Sequence, residues 1–279
     1  MTDNHFISIR YFMKKYPVLI IIPHGGYSIP YELIEVTDIT DFDLYIQGDT
    51  CANELFAFDK FVAAKLDSQI SRLFVDMDRN KKKVGEKIPD GIIKTATLNG
   101  KSIFIKDTYP DNIAINNIIR RYYRPFHDAI EKLIKTGDIK FILECHTMMS
   151  VGPRFASDAG DPRPIVMLEN NIEKDGDIIN SCDDLATISL LDNIKKQFSD
   201  EKHTVTEPVV LAKYPSQGHL MNSFLNRDIP YIRLSLSKSL FLNDEYFSYE
   251  YLRVDEIRMK QLKEKLWRAL DKFFKKLFG

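Results

Sequence analysis

Residues 18–26 read VLIIIPHGG: five consecutive large aliphatic residues, then a proline, a histidine and two glycines. A run of that length without polar alternation predicts a strand covered on both faces, the kind found in parallel sheets with helices above and below. Pro23 ends the ladder, which leaves His24 on the turn beyond the strand's carboxyl end. In open α/β sheets that edge is where ligands bind. Gly25 and Gly26 allow a sharp turn there and the close approach of water or substrate.

Working outward, strand-length runs, most of them near-continuously apolar, recur as RLFVDMD (72–78), IKFILECH (139–146), PIVMLEN (164–170) and YIRLSLS (231–237). Segments of helical period lie between them. Residues 52–66 align Leu55, Phe58, Val62 and Leu66 on one face; 114–135 form a second helical stretch that Pro125 breaks or kinks; 182–198 and 255–278 are a third and a fourth. This alternation predicts an α/β fold with a mostly parallel central sheet. Residues 81–112, rich in Lys, Gly, Asn and Asp, predict a long excursion over one edge, the kind of loop that covers active sites. The C-terminal helix is basic on one face and apolar on the other, a pattern shared by helices on membrane surfaces and by terminal helices docked on a sheet; docking is the expectation.

The 279 residues contain 39 basic and 40 acidic side chains, so no global field gathers nucleic acid or an anionic membrane. With 44% hydrophobic residues, disorder as the main state is excluded. Cys51, Cys145 and Cys182 are odd in number and widely spaced, which argues against a disulfide framework and for a reducing compartment. The first residues carry no signal-like apolar stretch, and no apolar run reaches the ~18 residues of a spanning helix. The expectation is a soluble cytoplasmic protein, 1–279 forming a single domain.

Three strand ends carry polar groups: PHGG, VDMDRN and ECHTMMS. They bring His24 and His146 to one edge of the sheet, and two neutral imidazoles suit a divalent metal. The third ligand is open. No HExxH pair exists, and Tyr27 stands where a His-x-x-Glu motif needs its acid. The nearest acids are Asp49 and Glu54 in QGDTCANELF, where Asp49 could equally be a helix N-cap. Cys145 alternates to the opposite side of its strand from His146 and belongs to the core. His5 and His203 lie in polar, exposed stretches. Arg79 presents a planar fork suited to a substrate carboxylate, and Asp76 or Asp78 could orient a metal-bound histidine. Near Pro125, YYRPFH supplies Arg124 and His127, with Arg120 and Arg121 a turn earlier; aromatic packing and a capping histidine are the plain account.

In their order, PHGG, Asp49 before an amphipathic segment, SRLFVDMDRN, YYRPFH, ECHTMMS, QGHL and YIRLSLSKSLFLND, spread over residues 18 to 243, resemble the N-formylglutamate amidohydrolase family of zinc carboxypeptidase and aspartoacylase type hydrolases. The resemblance implies a three-layer αβα domain with its metal at the strand ends. It implies zinc held by His24, Asp49 and His146, with Glu54 the fallback for Asp49. It further implies that Arg79 faces a substrate carboxylate and that the loop of Gly218 lines the pocket. The family reaction is hydrolysis of an acyl amide on an amino acid: zinc acidifies water and polarises the carbonyl while a carboxylate carries the proton.

One position departs from the family pattern. Its last strand carries the general-base glutamate where this chain has Ser235, and a serine accepts no proton near neutrality without a neighbouring base. Glu144 is the expected substitute, with Glu169 and Glu207 as further carboxylates. Arg233, two residues before Ser235 and on the same side of the strand, joins Arg124 as a candidate for holding a carboxylate. Asp78 stands where the family has Asn, which adds negative charge. The expected function is a metal-dependent hydrolase acting on a small-molecule acyl amino acid. The alternatives are a silent relative that binds a small carboxylate or peptide end, and a metal-free protein with structural histidines.

Overall fold

The computed structural model describes residues 6–11, 16–154, 156–213, 218–224 and 227–279; His5 and Gln217 of QGHL lie outside them. Seven strands form one sheet: β1 (Ile7–Tyr11), β2 (Tyr16–Ile22), β3 (Val62–Ser68), β4 (Phe141–Met148), β5 (Val166–Glu169), β8 (Val209–Leu211) and β9 (Tyr231–Ser237), in the order β1-β3-β2-β4-β9-β5-β8. The pairs β3·β2, β2·β4, β4·β9 and β5·β8 are parallel, whereas β1·β3 and β9·β5 are antiparallel. The sheet is thus mostly parallel, as its apolar runs predict.

Helices cover both faces. On one, α2 (Ala52–Leu55), α5 (Asp184–Gln197) and α7 (Glu256–Phe278) close over Val18, Ile20, Phe141, Leu143, Ile232 and Leu234. On the other, α3 (Asn112–Ile118), α4 (Arg124–Thr136) and α6 (His219–Phe224), together with the buried part of residues 70–104, close over Leu19, Ile21, Ala64, Leu66 and Ile142. A short helix α1 (Asp41–Gln47), capped by a reciprocal Thr40/Asp43 box, leads into the loop before α2. Two hairpins, β6·β7 (Asn171–Lys174, Asp177–Asn180) and β10·β11 (Phe247–Ser248, Arg253–Val254), stand outside the main sheet. The apolar stripe of α7 is docked: Leu262, Leu266, Leu270, Phe273 and Phe274 are buried, and Tyr16 donates to Asp271 Oδ1 at 2.8 Å. No described helix is long and apolar enough to cross a membrane.

Two expected elements differ. Residues 52–66 are not one helix: α2 ends after a single turn and Val62–Ser68 is strand β3. Its backbone is captured on both sides by β1 and β2, and that pairing overrides the helical spacing of its apolar residues. Residues 72–78 are not a strand either. Phe74 and Val75 N–H groups turn back to the Ser71 carbonyl, and only an isolated bridge, Val75 to Ile93, joins a neighbour. Leu73, Phe74, Val75 and Met77 are apolar because residues 81–112 fold over them with Ile92, Ile93 and Ile103, not because they lie in the sheet. Ahead of Pro125 the helix widens into a π turn over Ile119–Tyr123, and Pro125 then opens α4.

Candidate metal centre and its cavity

Period-two alternation separates chemistry from core on β4: Phe141, Leu143 and Cys145 join the α5/α7 core, while Glu144 and His146 face the other side. The register continues this across the sheet. Glu144 pairs with Arg233 and Arg233 with Glu169, forming one row; His146 pairs with Ser235 and Ser235 with Met167, forming the row beyond it.

His24 stands one turn past β2, and Asp49 comes from the loop between α1 and α2. His146 Nδ1 donates to Asp49 Oδ2 at 2.7 Å, and His24 Nδ1 lies 3.7 Å from the same oxygen. Donor atoms of His24, Asp49 and His146 all lie within 4.8 Å of one another, and all three residues are buried. The far nitrogens are held by carboxylates: His24 Nε2 donates to Asp76 Oδ1 at 2.7 Å and His146 Nε2 to Glu144 Oε1 at 2.6 Å. That bond engages Nε2 and leaves Nδ1 buried without a hydrogen-bond partner. An orphaned imidazole nitrogen beside a carboxylate and a second imidazole, each histidine oriented from behind by an acid, is a donor set that fits a divalent metal such as zinc.

The loop that delivers Asp49 is itself anchored. Asp49 N–H donates to the His24 carbonyl at 3.2 Å, and Cys51 N–H donates to the Tyr27 hydroxyl at 3.1 Å, with Tyr27 stacked on Tyr45. Tyr27 therefore clamps the Asp49 loop from the position where a His-x-x-Glu motif carries its acid. Lys238 Nζ donates to the Ile46 and Gly48 carbonyls from below; burial pushes its pKa down to about 8. Cys51, at φ 59°, is the residue that precedes α2, so Asp49 is not its N-cap and the side chain is free to face the histidines. Glu54 points to solvent from α2. Gly25 and Gly26 make room for protein, not ligand: a side chain at Gly26 would run into the Gln69 backbone and one at Gly25 into Asn53.

Asp76 is the electrostatic hub. Burial opposes its ionisation, but Arg79, Lys94 and His24 hold it well below the usual carboxylate range. Lys94 Nζ lies 2.8 Å from Asp76 Oδ2, and Arg72 spans Asp76 and Asp49 at 3.5 and 3.4 Å. For His146, burial alone would lower the pKa, but Asp49 and Glu144 push it up to about 9; in return His146 holds Asp49 down. YYRPFH acts at a distance. Tyr123 OH donates to the Arg79 carbonyl at 2.7 Å and His127 Nε2 to the Met77 carbonyl at 3.0 Å, fixing the segment that bears Asp76; burial pushes the His127 pKa down to about 4.

A cavity of about 580 Å³, room for an acyl amino acid but not for a folded partner, opens over the triad. Its lining includes His24, Asp49, Arg79, His146, Gly218, Arg233 and Ser235, so most of the expected site residues converge. Arg79 forks onto Asp90 at 2.9 and 3.1 Å. The Arg233 guanidinium is shared among Asp78, Glu144 and Glu169. A Cβ at Gly218 would collide with Arg233 and Asp78, which explains the glycine of QGHL. Two expected residues stand apart. Arg124 is exposed at the start of α4 and does not line the cavity. Glu144 is fully buried behind His146 and engaged by His146, Tyr231 and Arg233, with its pKa down to about 2 despite burial, chiefly through Arg233 and His146. Glu207 is exposed, whereas Glu169 lines the cavity. Arg72, Lys94 and Lys238 were not foreseen: Arg72 and Lys94 sit in stretches read as strand and loop, and nothing around Lys238 in SLSKSLF marks it as buried.

A family model described as N-formylglutamate amidohydrolase matches residues 16–242. Among solved structures, the chain is similar to the N-formylglutamate amidohydrolase from Ralstonia eutropha JMP134, with a TM-score of 0.70 at 16% identity over 96% of this chain and 97% of that one. It is also similar to the gene product Atu2144 from Agrobacterium tumefaciens, with a TM-score of 0.61 at 13% identity over 98% and 94% of the two chains. A metallo-carboxypeptidase from Burkholderia cenocepacia aligns with a TM-score of 0.40 at 11% identity, over 96% of this chain and 58% of its own. At such identities the first two likenesses are of fold. No curated protein matches the sequence significantly.

Proposed function

The chain belongs to the N-formylglutamate amidohydrolase family, and from that premise we propose that it is a metal-dependent hydrolase that cleaves the amide bond of an N-acyl amino acid. Membership supports a hydrolase of this substrate class. The metal dependence rests on one observation above all: the unpartnered Nδ1 of His24, buried beside Asp49 and His146. Two imidazoles and one carboxylate suit zinc, which when bound would polarise the scissile carbonyl and acidify water.

The chain's own groups do the rest. Asp76 and Glu144 fix the tautomer and ring orientation of His24 and His146. Arg72 neutralises the Asp49 and Asp76 carboxylates from the cavity side. Arg79 takes the substrate carboxylate in exchange for Asp90, whose side chain is 40% exposed and can swing away. Gly218 lets the α6 loop approach Arg233 closely and so shapes the pocket wall.

Ser235 favours a second reading, a relative that binds an acyl amino acid or peptide end without turning it over. Metal analysis and turnover separate the cases. Protein purified without chelators should carry close to one equivalent of zinc or another divalent metal; less than about a tenth of an equivalent would sink the metal reading. A panel of formyl, acetyl and peptidyl amino acids should include one hydrolysed in a metal-dependent way. No hydrolysis, with a rise in melting temperature on adding one of them, would favour the binding reading.

A further inference from the structure

We propose that Glu169 is the proton-transferring carboxylate of this site, taking over on β5 the task that Ser235 cannot perform on β9. The inference rests on the hydrolase reading above and deepens it.

Position comes first. Ser235 pairs with His146 on one side and with Met167 on the other, and Glu169 lies two residues beyond Met167, opposite Arg233. Glu169 is thus the diagonal neighbour of Ser235 on the same face of the sheet, ~7–8 Å away between backbones and within reach of a long side chain. Because residues paired across β5 and β9 share a face of the sheet, the two strands present their cavity-facing residues to one space. A serine in that row leaves the space open.

Elimination comes second. Among the described residues, the carboxylates that line the cavity are Asp49, Asp78, Asp90, Asp158 and Glu169. Asp49 belongs to the metal triad. Asp78 is bound by the Leu220 N–H and by Arg233, Asp90 by Arg79 and Lys94, and Asp158 by both arms of Arg163. Glu169 has a single long ion pair, 3.4 Å to Arg233 Nε, and that guanidinium is already shared with Asp78 and Glu144. Its proton affinity fits the task. Burial raises the pKa, Arg233 on β9 and His146 on β4 lower it, and Glu144 and Asp78 raise it; the balance is upward, toward the range a proton carrier needs.

The step balances. Ionised Glu169 takes a proton from water as the water oxygen bonds to the acyl carbon. It returns that proton to the amide nitrogen as the C–N bond breaks, leaving a carboxylic acid, a free amino acid and the original carboxylate.

The test uses the metal-loaded wild type, Glu169→Gln, and Glu169→Gln combined with Ser235→Glu. Glu169→Gln should keep its metal and its KM within about threefold while kcat falls ~10²–10⁴-fold, and Ser235→Glu in that background should restore at least about tenfold. A mere counterion of Arg233 would show no such rescue. A second readout is independent of turnover: the visible spectrum of Co²⁺-loaded protein, titrated from acid to alkaline pH, should show an inflection in wild type that Glu169→Gln lacks. Unchanged kcat in Glu169→Gln, or identical cobalt titrations, would overturn the assignment. If wild type hydrolyses nothing and Glu169→Gln still loses the inflection, Glu169 stands as the proton partner and it is the hydrolase reading that falls.

Discussion

The two faces of β4 differ in kind although they share one backbone. Phe141, Leu143 and Cys145 pack into an unbroken apolar layer under α5 and α7, where Phe141 meets Phe273 and Phe274 edge-on at 5.6 and 5.9 Å. Ile142 continues such a layer on the other side, but Glu144 and His146 then turn it into a charged network within two residues. The apolar face stabilises the fold by area and can accept similar side chains of equal volume. The other face stabilises nothing cheaply: each buried charge there needs a partner, so removing one strands another. Core and chemistry are separated by the strand period, and they should fail differently.

The largest effect expected is from His146→Ala, which removes a donor from the triad and leaves Glu144 and Asp49 facing an empty space. Metal content should fall below detection by elemental analysis, and stoichiometric zinc in this variant would mean the ligand assignment is wrong. Leu143→Ala, on the same strand but the opposite face, should cost ~2–5 kcal/mol by urea unfolding while the folded protein keeps its full metal content. The two variants together break the comparison if either shows the other's phenotype.

Acid should weaken metal binding in a graded way. His146 sits at about 9 in the metal-free protein, because Asp49 and Glu144 outweigh the downward push of burial. The metal must displace that proton, so affinity should fall about tenfold per pH unit as pH drops below 9, read by competition with a chromophoric chelator. The same shift has the opposite sign for the stripped protein. A histidine raised in the folded state contributes stability in full below ~6.5, and that contribution is lost as pH rises through about 9. The stripped protein should therefore lose melting temperature over this window, and the metal-loaded protein should not. The smallest effect is expected of Glu54→Ala, on the exposed side of α2: within about 0.5 kcal/mol of wild type and with unchanged metal content.

Much of this was legible in residue order. The apolar runs of β2 and β4 announce a two-sided sheet, and histidines at their ends announce the edge where the triad forms. Where reading by pattern failed, tertiary capture was the reason. Residues 62–68 carry a helical stripe but pair with β1 and β2; residues 72–78 carry a strand-like run but are apolar only because the 81–112 excursion covers them. Arg72 and Lys94 became site residues through that same folding-over, and Lys238 through the end of α1 and the loop after it, whose carbonyls it holds.

Sequence alone therefore determined the α/β class and the alternation that puts Cys145 in the core and His146 at the edge. These are local facts, readable because strand period and side-chain chemistry act over a few residues. The tertiary structure decided the rest: that Asp49 rather than Glu54 meets the histidines, that the PHGG glycines face protein, that Glu144 stands behind His146, and that Glu169 faces the cavity. Apart from Glu144 and His146, which share a strand, each depends on which segments the register and the loops bring together from far apart in the chain, and only the packed sheet specifies that.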